Sequence, residues 1–423
     1  MKVLIYGINY APELTGTGKY TGEMAQWMAE QGHEVRVVTA PPYYPEWQVH
    51  RGWKAWAYRK EPGAVTVWRC PLYVPARPST LKRLFHLGSF AISSFFPLLA
   101  QRRWRPDCII SVVPTLFCTP GMRLLAKLCG ARTVLHIQDY EVDAMVGLGM
   151  AGRRGPAARL AAAFERSNLL GVDCVSTISR SMIAKAIEKG VAPQRTLFFP
   201  NWSEVERFRT VTTQAAAALR ERLGLSTQKR IALYSGNIGE KQGLENVIAV
   251  AGRMADAPLQ FVIVGQGGGR ARLEKMVAEQ GLTNITFLPL QAAEDLPALL
   301  SLADCHLVIQ RRGAADAVLP SKLTNILAAG GNAVITAEAS TELGQVCAAY
   351  PGIAVCVEPE SVDALAQGIA QCLAMPKPNA VAQGYAERTL NKTRVLQQFM
   401  ADIAALRPAR DKTGTAEKTA RQR

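Results

Sequence analysis

From Met1 to about residue 400 the chain alternates two kinds of segment: short runs rich in β-branched residues, and helix-length stretches with an amphipathic pattern. A strand followed by a helical crossover pairs in parallel with the next, so this alternation restricts the chain to open α/β sheets covered by helices. In the first half the strand runs fall at 3–10, 35–40, 65–69, 108–113, 133–138, 174–178 and 196–199. In the second half they fall at 230–235, 260–264, 285–288, 306–310, 333–336 and 353–357. A chain of 423 residues exceeds what one core organises, and a hydrophobic fraction of 48% is enough for two. The expected architecture is two Rossmann-like, doubly wound domains facing across a cleft. The first covers 1–201, a polar, alanine-rich linker and boundary helix covers 202–229, and the second covers 230–378.

Composition narrows the chemistry. Nine cysteines contain no C-x-x-C pair and no zinc-like spacing with the five histidines, so they read as buried free thiols in a reducing cytosol, with no metal site. The amino terminus turns polar after a few apolar residues and reads as a first strand, not an export signal. A formal charge of +15 favours anionic partners. Nucleic acid is excluded as a partner because no finger, RNP-type strand or helix-turn-helix signature accompanies the charge. The tail 407–423 holds six basic and two acidic residues, has no apolar side chains to bury, and reads as disordered.

Four segments carry candidate chemistry. In PELTGTGKYTGEM, Gly16 and Gly18 sit between the first strand and a helix, where glycines let backbone N–H groups approach an oxyanion. The spacing is G-x-G-x-x-x-G, not the dinucleotide fingerprint. FVIVGQGGGRARLEK has the same near-miss, since Arg270 stands where a third glycine is needed, and a dehydrogenase loses its best evidence. HIQDYEVDA places His136, Asp139, Glu141 and Asp143 at a strand end, either as hydroxyl-orienting groups or as a solvated acidic turn. LPSKLTNILAAGG puts Ser321 at a helix start and Lys322 in its first turn. The macrodipole disfavours a cation there unless a bound anion is opposite it.

The seventeen residues LFHLGSFAISSFFPLLA, 84–100, lack any charge and are flanked by Arg77, Lys82 and Arg83 before and Arg102, Arg103 and Arg105 after. With Pro97 inside, the run is marginal for a membrane span. Two readings remain: a buried domain helix, or an interfacial helix on an anionic leaflet, the latter helped by the aromatic-basic stretch Trp53–Lys60.

Taken together, YGINYAPELTGTGKYTGEM, TAPPYYP, VLHIQDYEVDAM, FFPNWSE, YSGNIGEKQGLENVI, VGQGGG and VLPSKLTNILAAGG resemble the GT-B-fold glycosyltransferases of the retaining class that uses nucleotide-diphosphate sugars without a metal. The resemblance covers about residues 1–406 and is nearest to members that assemble capsule-type exopolysaccharide. It implies a cytoplasmic hexosyltransferase at the inner membrane face, with no cofactor. The implied donor is GDP-fucose and the implied acceptor a lipid-linked oligosaccharide. It further implies an acceptor-side loop at Gly16 and Gly18, a donor-side histidine at His136, and a phosphate-contacting segment from Gly236 to Gly243. Here Asn237 and Gln242 replace a common arginine and lysine, and the family's E-x7-E element falls on Ala317 and Asn325. Lys241, Ser321 and Lys322 are then the expected anchors of the diphosphate. The family often returns its last helix, here 379–406, to the first domain. Two rival activities share these signals: a nucleotide-sugar epimerase of the same fold, and an inactive membrane-associated assembly component.

Overall fold

The computed structural model describes residues 1–13, 16–76, 79–141, 155–313 and 319–406. Arg77, Asp143, Ala317 and the tail 407–423 lie outside the described residues. The chain divides into two compact units, Met1–Phe199 with the segment from Leu396 onward, and Pro200–Val395.

The first unit holds an eight-stranded sheet: β1 (Lys2–Gly7), β2 (Glu34–Thr39), β3 (Arg59–Glu61), β4 (Val65–Arg69), β5 (Cys108–Val113), β6 (Arg132–Ile137), β7 (Cys174–Thr177) and β8 (Thr196–Phe198), in the order β3-β4-β2-β1-β5-β6-β7-β8. All pairings are parallel except β3 with β4. β5 is buried at every position, as expected for a strand covered by helices on both faces. The order reverses at β1, so loops after β1 and β5 diverge there, the usual place for a ligand in an open α/β sheet.

β3 was not foreseen. Its three residues, Arg-Lys-Glu, carry no hydrophobic signal, and its pairing with β4 comes from tertiary placement alone. It ends the stretch 53–60, whose Trp53 ring lies under the guanidinium groups of Arg59 and Arg69. Trp56 and Tyr58 remain exposed at 72% and 59%.

The second unit holds β9 (Arg230–Ser235), β10 (Leu259–Val264), β11 (Ile285–Leu288), β12 (Cys305–Val308), β13 (Ala333–Thr336) and β14 (Val355–Val357), all parallel, in the order β11-β10-β9-β12-β13-β14. Two hydrophobic clusters make its core. One includes Val205, Phe208, Leu219 and Leu225, so the stretch 202–229 is part of this unit's core and not a linker between domains. The expected return of 379–406 to the first unit also needs correction. Ala382, Tyr385 and Leu390 are buried in the second unit's core, and only the segment from Leu396 groups with the first.

The helix Thr80–Ala100 is buried along one side and exposed along another. Leu87, Phe90, Ser94 and Leu98 are buried, while Leu81, Phe85, Ile92 and Phe96 stand 62–75% exposed on the same helix. Intervals of four and seven residues put those four on one stripe.

The cysteines depart from expectation. All nine are free, and six are buried, but Cys129 and Cys347 are half-buried and Cys356 is exposed.

Candidate active site

In the second unit the loops after β9 and β10 are laid against each other backbone to backbone. Gly236 N–H donates to Val264 O (3.0 Å), Ile238 N–H to Gln266 O (2.8 Å), and Gly269 N–H to Ile238 O (3.0 Å). This approach requires glycine: a Cβ on Gly265 would fall 1.9 Å from the Gly236 carbonyl oxygen, and one on Gly267 would fall 2.2 Å from that of Ile238. Arg270, which breaks the dinucleotide spacing, donates to the carbonyls of Gly265 (2.9 Å) and Leu288 (3.0 Å). The glycines therefore serve loop closure, and Arg270 locks it.

Lys322 sits in the first turn of the helix Ser321–Ala328, with its Nζ 4.4 Å from the centre of the Tyr234 ring. A Cβ on Gly236 would lie 3.9 Å from that Nζ, so the ammonium reaches the mouth of the β9 loop. Burial draws its pKa down to about 8. Tyr234 is fully buried at the end of β9 and donates to the Asn237 carbonyl (2.5 Å). An ammonium over an aromatic face, beside a helix amino terminus whose first N–H groups have no intrahelical partner, makes a place for an anion.

Other expected anchors have different partners. Gln242 Oε1 accepts from Gly239 N–H (3.0 Å), so this side chain closes its own turn instead of reaching a phosphate. Asn325 Oδ1 accepts from Ser203 Oγ (2.9 Å), fixing the segment before the helix Val205–Arg209, and is a scaffold group. Ser321 is exposed at the first helical position. Pro320 occupies the cap and no side chain caps the helix, so the expected serine cap is not formed. Asn237 and Lys241 are exposed on the β9 loop.

Lys241 is positioned by a residue the sequence reading passed over. Arg311, just past β12, donates its N–H to Lys241 O (2.9 Å) and its Nε to Glu240 O (2.7 Å), and its Nη2 pairs with Glu245. Arg272 pairs with Glu240 and Glu245 in turn. Tyr234 was also missed. The available signal was an aromatic with a polar handle at the last positions of a buried strand, directly before a glycine turn.

In the first unit, His136 is not at a ligand-facing position. It is 3% exposed, its Nδ1 is 3.0 Å from Ser176 Oγ, and its Nε2 accepts from the Gln138 amide (2.9 Å). Its ring packs edge-on against Phe199, which stacks on Phe399. Burial lowers its pKa to about 3, so it is a neutral core residue. Its direction follows from strand alternation: the groups past the end of β6 are Gln138 and Asp139, and Asp139 is exposed. Glu141 accepts from Leu116 N–H (3.1 Å), and burial lifts its carboxyl to about 7.

The β1 loop is held from within. Glu13 is 3% exposed, accepts from the N–H groups of Tyr43 and Tyr44 (both 3.1 Å), and accepts from Asn9 (3.0 Å). A Cβ on Gly18 would sit 2.3 Å from Glu13 Oε2, so Gly18 is glycine to admit this carboxyl group. Gly16, with φ of 59°, is exposed at the start of the helix Gly16–Glu30. A concavity of about 450 Å³ lies at the amino end of β6, near Arg123, Thr133 and Asp173. Its Thr133 N–H and hydroxyl are satisfied by Asp173 (2.8 Å each), and it is remote from the strand ends that carry the candidate groups. Among the described residues, no three His, Cys, Asp or Glu side chains are grouped to ligate a metal.

These features match known proteins along both halves. Residues 15–202 match the glycosyl transferase 4-like domain, and residues 216–389 match the glycosyl transferases group 1 model. The chain is 71% identical over 405 residues to the glycosyl transferase WcaI of Escherichia coli (strain K12), named for colanic acid biosynthesis, covering 95% of this chain and 100% of that protein. Its fold is similar to sucrose-phosphate synthase of Thermosynechococcus elongatus (TM-score 0.69, 17% identity, covering 95% and 98%). It is also similar to WaaG, a glycosyltransferase involved in lipopolysaccharide biosynthesis (TM-score 0.64, 17% identity, covering 95% and 99%). With two parallel α/β units of the GT-B type and a relative this similar over nearly its whole length, the chain belongs to the group 1 glycosyltransferases.

Proposed function

We propose that this transferase moves a sugar, fucose from GDP-fucose, onto a lipid-linked oligosaccharide during assembly of a colanic acid-type exopolysaccharide. The observation that carries the donor side is the Lys322 ammonium held over Tyr234 at the mouth of the β9 glycine loop. A departing nucleoside diphosphate gains negative charge as the glycosidic bond breaks, and a fixed ammonium with helix N–H groups stabilises that charge more than it stabilises intact donor. Lys241, held by Arg311, supplies a second cation on the same loop. We read transfer as metal-independent and retaining, with Asp139 near the acceptor hydroxyl. The likeness to a protein named for colanic acid biosynthesis supports the acceptor class.

The exposed stripe Leu81, Phe85, Ile92 and Phe96, with Lys82, Arg83, Arg102 and Arg103 beside it, supports placing the enzyme peripherally on an anionic membrane, where a lipid-linked acceptor resides. The test is a panel of nucleotide sugars scored by thermal shift, and by transfer to lipid extract in the presence of a chelator. Stabilisation and transfer with GDP-fucose are expected. Stabilisation with release of a free epimer would instead favour the epimerase, and binding without turnover on any extract would favour an inactive assembly component.

A further inference from the structure

Two buried charged residues join the loops that follow β1 and β2, at the carboxyl end of the first sheet. Arg69, at the end of β4, donates to Ala40 O (3.0 Å) and Ala11 O (2.6 Å), with its guanidinium 5.4 Å from the centre of the Tyr10 ring. It fastens both loops near their roots. Glu13 fastens them farther out: Oε1 accepts from the N–H groups of both Tyr43 and Tyr44 (3.1 Å each), while Oε2 accepts from the Asn9 amide (3.0 Å). The two tyrosines then point to different surroundings. Tyr43 is buried, with its ring edge-on to His86 at 4.8 Å, and Tyr44 is 36% exposed. A Cβ on Gly16 would lie 3.3 Å from Tyr44 Cε1, so the Gly16 turn rests against that ring. The two glycines of the β1 loop therefore serve one device: Gly18 admits the Glu13 carboxyl group, and Gly16 admits the ring that Glu13 places.

We propose that Glu13 is a positioning residue for the acceptor, holding the exposed Tyr44 ring against Gly16 as the face on which the acceptor's terminal sugar rests. This rests on the reading of the first unit as the acceptor side. A pyranose presents an apolar C–H face as well as hydroxyls, and a half-exposed tyrosine presents a flat apolar face with a hydroxyl at its edge. Both loops leave the carboxyl ends of adjacent parallel strands, beside the reversal of strand order at β1. Glu13 is itself buried and does not meet the sugar; it acts through the backbone of Tyr44. The motifs PELTGTGKYTGEM and TAPPYYP are thus two halves of one surface.

The experiment is transfer by the full chain from saturating GDP-fucose to a graded series of lipid extract. It is read beside two quantities that need no acceptor: donor-induced thermal stabilisation, and release of free sugar to water. Glu13→Ala and Tyr44→Ala should each raise the extract needed for half-maximal transfer on the order of tenfold, as a misplaced binding group does, and leave both acceptor-free quantities at wild-type values. Glu13→Gln, which keeps an oxygen for the two N–H groups, and Tyr44→Phe, which keeps the ring, should stay near wild type. Because Glu13 acts through Tyr44, the double variant should be no worse than Tyr44→Ala alone. Additive losses in the double variant, or an unchanged extract requirement in folded Tyr44→Ala, would overturn the proposal. A Glu13→Ala loss that falls equally on donor stabilisation overturns it too, since that is general damage. Should Glu13→Ala fold poorly, Glu13→Asp, one methylene short of both N–H groups, takes its place in the series. Wild-type protein that transfers from no nucleotide sugar fails at the proposed function itself, whereas active wild type beside an unaffected Tyr44→Ala fails only here.

Discussion

Lys322 holds its ammonium 4.4 Å from the centre of the Tyr234 ring, joining the first turn of one helix to the end of β9. Neither residue explains the other in isolation. A lysine at that helix position is mildly unfavourable, and partial burial adds a desolvation cost. The Tyr234 quadrupole beneath the charge offsets part of this cost, and an anion bound in front of it would offset the rest.

Removing the ammonium should therefore act on the chemical step. For Lys322→Ala we expect the barrier to rise by about 3 kcal/mol, on the order of 100- to 1,000-fold in kcat, by analogy with losing one oxyanion donor. Donor affinity should change less. Initial rates at saturating donor check this; unchanged turnover, or a loss confined to affinity, would transfer the role to Lys241.

Donor binding should also depend on pH. The free-protein Lys322 pKa lies near 8, below its ordinary value. A bound diphosphate favours the protonated form, so affinity is full below that pH and is lost as pH rises through about 8. Calorimetry in buffers of different ionisation enthalpy should show proton uptake on binding there. Affinity that stays flat across that range would rule Lys322 out of donor contact.

His136 should behave as a core residue. We expect His136→Ala to lower stability by roughly 2–4 kcal/mol, because a cavity opens against Phe199 and Phe399 and the Gln138 amide loses its acceptor. The native pKa, about 3, lies below the unfolded value, so the unfolded state binds more protons and stability declines as pH falls below the ordinary histidine range. Denaturant melts at two pH values measure both effects. If a stably folded variant instead loses turnover, the catalytic reading of His136 returns.

Closing the donor loops should fail when Gly265 gains a side chain. At φ of 150° and 1.9 Å from the Gly236 carbonyl, a Cβ forces the β9 and β10 loops apart. Backbone strain of this kind costs on the order of 1–3 kcal/mol. Gly265→Ala should thus lose donor-induced thermal stabilisation more than it loses basal melting temperature, whereas Gly268→Ala, with open space around it, should retain both.

Membrane contact is testable through the exposed stripe. Phe85→Asp with Phe96→Asp should abolish flotation with vesicles containing anionic phospholipid while leaving the melting temperature near wild type, since both rings are exposed. Raising salt should weaken wild-type binding, because surface attraction contributes about 1 kcal/mol per basic residue and is screened. Absence of flotation at low salt would leave the stripe without a membrane role.

Strands β1, β5 and β10 could be found in the sequence, the first expected at 3–10 and formed over Lys2–Gly7, because a doubly covered parallel strand must be largely apolar, and a crossover must be helical. The unusual lysine at the start of the helix Ser321–Ala328 was legible for a similar reason: the macrodipole makes a first-turn cation a local anomaly. Which side of β6 His136 faces was not legible, since a strand buried on both faces shows no in-and-out alternation to reveal it. Nor could sequence show that Gly18 makes room for Glu13 or that Asn325 is held by Ser203. Those depend on side chains brought together from different elements, or on the turn of the chain between them. Local pattern reports what a segment buries; only the tertiary fold decides what each polar atom has beside it.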